Sequence, residues 1–412
     1  MWSKRHVFFS FLIFGIFSFT LIQTSANLFG TDLVAGRNVN MVNDDPFLQR
    51  QNEPSVDVSS INPRHLLAGA NDYSLVYFNG LEVDVTYDSW LGVFKSYDGG
   101  ESWEHDMLPP YQGVFQGADT DETHLLYGFE AAADPTVRAG NNGWFYYSGI
   151  AFDRERNGDS VVFVVRYKDN GSRIDYVDTN IIDVGTSGQF KDKPWIVSDK
   201  LGRVYLVYSI FQGEINVLGQ SAKSSSTKIM MARSFDSGDT WEAPSKLSES
   251  QHKNQGTTIT IDPDDGTIYV AWRRFARPNV TDAIVITKSE NFGKHFSKVE
   301  EVATIDFPFD QPTMGYQDGA SMFRTLSFPT MAVDASGRIY VAWSQRISAF
   351  DDARIVITSL DGENWGSSWP TPVTIEPLSI DDPRPGGEQN MPCHQFMPTM
   401  IYRPGVDKLM IA

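Results

Sequence analysis

Cysteine occurs once in this chain, at position 393, so no intrachain disulfide can form and the fold must be stable without one. A lone cysteine nucleophile would need a base beside it. His394 is its sequence neighbour, but adjacent residues of an extended strand point to opposite faces, so Cys393 reads as a packing or loop residue. Histidine is also sparse: seven are scattered, with no pair at metal-ligand spacing. Basic residues are outnumbered, 34 against 52 acidic, for a formal charge of −18. Such a surface repels polyanions, which sets aside nucleic acid and anionic membrane as partners. There is no glycine-rich phosphate loop and no serine nucleophile elbow. Asp119, Asp121 and Glu122 in GADTDETH are oxygen-rich but lack a calcium-loop spacing, so a solvated loop is expected there and neither metal nor cofactor.

Long apolar runs are missing except at the start. Lys4, Arg5 and His6 precede an apolar stretch from Val7 to Ile22, and Thr24-Ser25-Ala26 follows as a small-residue site. This is the pattern of a secretory leader over 1–26, which predicts a secreted or cell-surface protein; an uncleaved N-terminal anchor is the alternative. A segment 27–50 then leads into the main body, 51–412. Asn170-Gly-Ser and Asn279-Val-Thr are glycosylation sequons, relevant in a host that glycosylates. No sign of oligomeric state is present.

What is abundant is strand and turn material. Aromatics make up 13% of the chain and glycines number 33, a composition suited to an all-β protein with many turns. Six phrases share one plan, a short strand, a polar turn and a second apolar strand: they begin near 52, 133, 192, 256, 327 and 396. The fullest are PWIVSDKLGRVYLVYS, TITIDPDDGTIYVAW and PTMAVDASGRIYVAW. A third strand follows in each complete unit, at 90–95, 160–166, 228–233, 283–288 and 353–358. Then comes a recurring turn, SYDGGESW at 96–103, SFDSGDTW at 234–241, SENFGKHF at 289–296 and SLDGENW at 359–365. The second unit keeps only Asp169-Asn170-Gly171.

The turn makes sense as local chemistry. Asp98 and Asp236 can accept backbone N–H groups, and Gly100 and Gly238 permit positive φ. Ser96 and Ser234 tie the loop, and Trp103 and Trp241 offer apolar surface to the next strand. Ser359, Asp361 and Trp365 repeat the theme in a turn one residue shorter. A residue needed once per unit is structural rather than catalytic. Four strands per unit in fixed phase predict a six-bladed β-propeller of four-stranded antiparallel blades, against two packed sandwiches as the competing architecture. The sixth unit reaches Ala412 inside its second strand, so an incomplete last blade is expected.

The pattern S-x-D-x-G-x-[ST]-W resembles the Asp-box of the bacterial neuraminidase repeat, found across the sialidase-like propellers, over roughly residues 50–412. The resemblance implies a ligand at one mouth of the central channel and, in family members that are sialidases, three arginines on a carboxylate with a Tyr–Glu nucleophile pair and an Asp acid/base. The family's Arg-Ile-Pro is absent; the matching tripeptide is Asn52-Glu53-Pro54. Candidate ligand residues are therefore Glu53, Asp134, Asp192, Lys193 and Trp195 at the strand openings, with Phe328 in the fifth, and Arg273, Arg274, Arg324 and Arg346 as possible anion ligands. No catalytic residue is assigned. The expectation is a propeller that binds a glycan or another extracellular ligand. The alternatives are an exo-sialidase or other glycoside hydrolase with a divergent site, and a scaffold for a protein partner.

Overall fold

Strands with alternating burial set the architecture. The computed structural model describes residues 39–42, 51–74, 77–79, 82–84, 89–110, 122–154, 158–186, 188–212, 226–249, 252–310, 325–349, 351–375, 395–403 and 407–412. The first sheet contains β1 (Gln51–Val58) and β2 (Leu66–Asp72). A small hairpin, β3 (Tyr77–Asn79) with β4 (Glu82–Asp84), precedes β5 (Trp90–Ser96) and β6 (Glu104–Met107), which complete that sheet in the order β1-β2-β5-β6. The second runs through β7 (Ala131–Ala139), β8 (Trp144–Phe152), β9 (Ser160–Asp169) and β10 (Ile174–Gly185). The third is β11 (Gln189–Ser198), β12 (Val204–Gln212), β13 (Ser226–Ser234) and β14 (Ser245–Lys246). The fourth is β15 (Asn254–Ile261), β16 (Ile268–Arg274), β17 (Ala283–Ser289) and β18 (Glu300–Thr304). The fifth is β19 (Thr330–Val333), β20 (Arg338–Arg346), β21 (Ala353–Asp361) and β22 (Val373–Thr374). A sixth, two-stranded sheet pairs β23 (Met400–Arg403) with β24 (Lys408–Ile411).

Each four-stranded sheet is a blade, and the β23–β24 pair follows in the same arrangement. The first strands of successive blades touch one another, β1 with β7, β7 with β11, and onward to β19 with β23. Cross-blade bonds show that these strands run in the same direction. Ser55 Oγ accepts from Val137 N at 2.9 Å, and two residues on Asp57 Oδ2 accepts from Ala139 N at 2.9 Å.

The core lies between blades because strand side chains alternate faces. Tyr147, Phe163 and Val165 pack with Leu67 and Leu91 of the first blade. Their chain neighbours Tyr146, Val162 and Val164 pack instead with Ile196 and Leu206 of the third. A blade is thus buried on both faces, which explains uninterrupted apolar runs such as SVVFVVR where a one-sided sheet would alternate. The same logic joins Val207 to Val270 and Trp272, and Ala271 to Val341 and Trp343.

The repeated turn closes the third strand. Asp236 holds the backbone N–H of Thr240 at 2.9 Å and its hydroxyl at 2.5 Å, while Ser234 Oγ donates to Asp236 Oδ1 at 2.7 Å. Gly238 N donates to Ser234 Oγ at 2.9 Å from a backbone at φ 78. Trp241 Nε1 bonds the Gly238 carbonyl at 3.0 Å. Asp98, Ser102 and Trp103 repeat these contacts. The Ser102 hydroxyl and N–H hold the Asp98 carboxyl down at about 2.

Of the two less regular turns, one keeps the expected form and one does not. SENFGKHF lacks the aspartate and the tryptophan, yet Asn291 Oδ1 accepts from His295 N at 2.8 Å and from Ser289 Oγ at 3.0 Å, so an amide oxygen takes over these two carboxylate bonds. SLDGENW keeps its aspartate but not the geometry. The missing residue converts it to a 3-10 turn, Gly362–Asn364, and Asp361 pairs with Arg338 at 2.7 Å instead. In the second blade Asp169 has a further job: it accepts from Ser59 Oγ at 2.6 Å and faces His65 Nδ1 at 3.0 Å, tying that blade to the first.

Candidate functional site

The recurring turns follow strands that run parallel to the first strands, so the beginnings of the first strands lie at the opposite end. Pairing slips there in four blades: between Asn52 and Ser55, Ala133 and Thr136, Asp192 and Trp195, and Gln255 and Thr258. Each slip is a β-bulge holding one residue in the left-handed region, Glu53 at φ 52, Asp134 at φ 60, Lys193 at φ 49 and Gly256 at φ 71. Met397 repeats it at φ 54 ahead of β23. Proline follows in most cases, at 54, 135, 194 and 398, and having no N–H it loses nothing by leaving the ladder. Left-handed backbone at a non-glycine residue costs on the order of 1 kcal/mol and concentrates at binding and catalytic sites.

Three of these residues converge. Lys193 Nζ donates to Glu53 Oε2 at 2.6 Å and to Asp134 Oδ1 at 2.9 Å, and Lys193 N donates to Asp134 Oδ2 at 3.0 Å. One ammonium therefore links the first, second and third blades. Asn71, at the end of β2, supports the group. Its Oδ1 accepts from Asp134 N at 2.8 Å and its Nδ2 donates to Asn52 Oδ1 at 2.8 Å. On the far side Gln255 Nε2 donates to Asp192 Oδ2 at 2.8 Å. The charged side chains remain partly open, 32% for Glu53 and 22% for Lys193, so the cluster is reachable from the mouth.

The environment drives the two carboxyls apart. Burial pushes Glu53 up, and the neighbouring Asp134 charge adds to that against the pull of Lys193. Burial alone would raise Asp134 as well, but Lys193 and the hydrogen bonds around it outweigh that and hold it at about 2. Burial opposes the Lys193 charge, yet the two carboxylates hold its ammonium well above the usual lysine range. Among the described residues no group of three His, Cys, Asp or Glu is placed to hold a metal ion.

Solved structures with the same blade arrangement fix the fold. An α-L-arabinofuranosidase of Fusarium graminearum bound to arabinobiose aligns at a TM-score of 0.51 and 14% identity, over 87% of this chain and 86% of that one. A Dyadobacter fermentans protein of unknown function aligns at 0.50 and 13%, over 80% and 83%. This chain has a β-propeller fold. No protein-family model matches it, and no curated protein matches it in sequence.

In this propeller the arginines proposed as anion ligands are dispersed or occupied. Arg273 is 1% exposed and held by two carboxylates, with Nε and Nη2 on Asp282 at 2.8 and 2.6 Å and Nη1 and Nη2 on Asp310 at 2.6 and 2.9 Å. It has no face left for a ligand. Arg274 points to the other side of β16 and pairs with Glu301 at 2.6 Å. The Arg346 guanidinium lies over the Phe309 ring, 5.0 Å from its centroid. Arg324, the acidic pair Asp119 and Asp121, Cys393 and the leader 1–26 lie outside the described residues. Trp195 packs into the seam between the third and fourth blades with the Arg138 guanidinium 5.0 Å above its ring, so neither face is an open stacking surface. Asp192, Lys193, Glu53 and Asp134 share the mouth. The roles of Asn71 and Gln255 left no sequence signal beyond their places beside a bulge.

Proposed function

We propose that this propeller binds a glycan at the mouth formed by Glu53, Asp134 and Lys193, and that the leader pattern at its N-terminus takes it outside the cell to meet that ligand. The observation that carries this is the shared ammonium: three blades each commit a strained backbone residue to one partly open polar cluster. Such a cluster sets two acceptors and a strong donor within one sugar ring's reach, the chemistry that hydroxyl recognition needs. The same cluster argues for a neutral sugar over a sialate. A carboxylate ligand would meet Glu53 and Asp134, and Arg273 is already neutralised by Asp282 and Asp310. The fungal enzyme of this fold solved with arabinobiose is consistent with a sugar as ligand.

A second reading, glycoside hydrolysis, is favoured by the divergence of the two carboxyls, Glu53 upward and Asp134 downward. Glu53 would protonate the leaving oxygen and Asp134 would attack the anomeric carbon. Water would then release the glycosyl-Asp134 ester, returning the proton to Glu53.

A glycan array with the wild-type protein and Lys193→Met tests the binding. Retention of neutral glycans by the wild type, abolished in a variant that still melts cooperatively, is the expected result. An empty array, or one unchanged by the substitution, ends the proposal. Turnover of 4-nitrophenyl glycosides that falls at least about a hundredfold in both Glu53→Gln and Asp134→Asn would establish the hydrolase.

A further inference from the structure

The residue that opens each first-strand phrase sits in the left-handed region at Glu53, Asp134, Lys193, Gly256 and Met397, with Phe328 at the same place in the fifth phrase, and its chemistry divides in two. Blades one to three present Glu53, Asp134 and Lys193, bonded to one another. Blades four to six present Gly256, Phe328 and Met397. Gly256 is where the aromatic crosses over: a Cβ there would lie 2.2 Å from the Phe328 ring, so the missing side chain lets that ring lie against the strand. Met397 is 55% exposed at φ 54, an apolar side chain turned out on a strained backbone. Behind them the Phe396 ring stacks at 5.9 Å on the buried Phe309. An exposed methionine next to Phe396, on a rim whose first three blades carry charge, is apolar surface that a purely hydroxylated ligand would leave wet.

We infer that the ligand is amphipathic, a glycan bearing an aryl or acyl substituent, with its hydroxyls on the Glu53–Asp134–Lys193 side and the substituent on Phe328 and Met397. This rests on the glycan reading above and narrows its ligand class. Lys193 lies on β11 and Gly256 on the adjoining β15 with the Phe328 ring against it, so the two halves meet there and one small molecule is the natural occupant. Phenylalanine supplies a face for an aryl ring, and methionine adapts to groups of differing shape.

The experiment pairs methyl with 4-nitrophenyl glycosides of arabinofuranose, galactose and N-acetylglucosamine, titrated calorimetrically, with 4-nitrophenol as a third arm. At least one sugar should bind about tenfold more tightly as its aryl glycoside than as its methyl glycoside. Met397→Ser, at an exposed side chain that a folded protein tolerates, should remove most of that ratio and leave methyl glycoside affinity unchanged. Phe328→Ala should do the same if its melting curve shows it folded. Equal affinity for both members of every pair overturns the inference, as does a ratio that survives Met397→Ser and a folded Phe328→Ala. If methyl glycosides fail to bind but 4-nitrophenol binds in a Met397-dependent way, the apolar subsite stands and the glycan reading falls. If nothing binds, both fall.

Discussion

The two ends of the propeller obey opposite rules. At the turn end the same residues do the same thing in the first and third blades, and in the fourth, where the aspartate becomes Asn291, its bonds to the Ser289 hydroxyl and the His295 N–H are reproduced. At the mouth the same backbone bulge recurs while its residue changes every time, from Glu53 to Asp134, Lys193, Gly256 and Met397. Repetition of side chains marks what every blade needs in order to exist. Repetition of backbone with divergent side chains marks positions released from that need, where a ligand can be read.

The contrast can be broken most forcefully at Gly256, the one mouth position where a side chain is forbidden. Gly256→Ala places a Cβ against the Phe328 ring at φ 71 and should cost about 3 kcal/mol by chemical denaturation. A loss below about 1 kcal/mol would show that the ring simply moves aside. Next comes Lys193→Met, which leaves Glu53 and Asp134 facing each other across the seam without their cation. A loss of about 2 kcal/mol is expected, below that of a fully buried pair because the cluster is partly open.

That variant should also change the pH dependence. Asp134 has its folded carboxyl depressed to about 2, so its contribution is complete above the unfolded value near 4 and is lost as pH falls through about 2. Glu53 works in the opposite sense. Its folded carboxyl is raised, so ionising it costs stability as pH climbs from the unfolded value through the folded one. Melting curves from pH 2 to 7 should show the acid-side loss in the wild type and its disappearance in Lys193→Met. Identical pH profiles would mean that Lys193 does not hold Asp134 ionised.

The smallest effects should come from the turn end. Asp236→Ala removes the acceptor for Thr240 and should cost about 1 kcal/mol, reduced by its exposure to solvent. Asp236→Asn should cost less than half of that, because Asn291 already builds the same turn with an amide. If the two substitutions were equally damaging, the charge rather than the acceptor geometry would be what the turn requires.

What could be read in the sequence was what is local. The hairpins, the third strands and the turn chemistry sit within a few residues of one another, and alternation and turn residues report them directly. The pairing of residues 53, 134 and 193 was not legible, because it depends on which blades are neighbours and on a one-residue slip in each of three strands. The fate of Arg273 was hidden for the same reason: Asp310, one of its two partners, comes from the connection to the next blade. The two degenerate turns show a third limit. One lost an aspartate and kept its shape; the other kept the aspartate, lost one residue of length and became a 3-10 turn. Spacing outranks residue identity there, because hydrogen bonds tolerate an amide for a carboxylate and do not tolerate a shortened loop.

The rim bulges have a consequence for how such a protein acquires new ligands. Each rim residue is delivered by its own blade, on a kink that is held by that blade's backbone rather than by the side chain displayed. A replacement at one kinked position therefore leaves the other kinks in place, so the mouth works as a socket whose pins are largely exchanged one at a time. Lys193, to which two other pins are wired, and Gly256, against which the Phe328 ring lies, are the exceptions, and a lineage that rewrites this mouth must change each together with its neighbours.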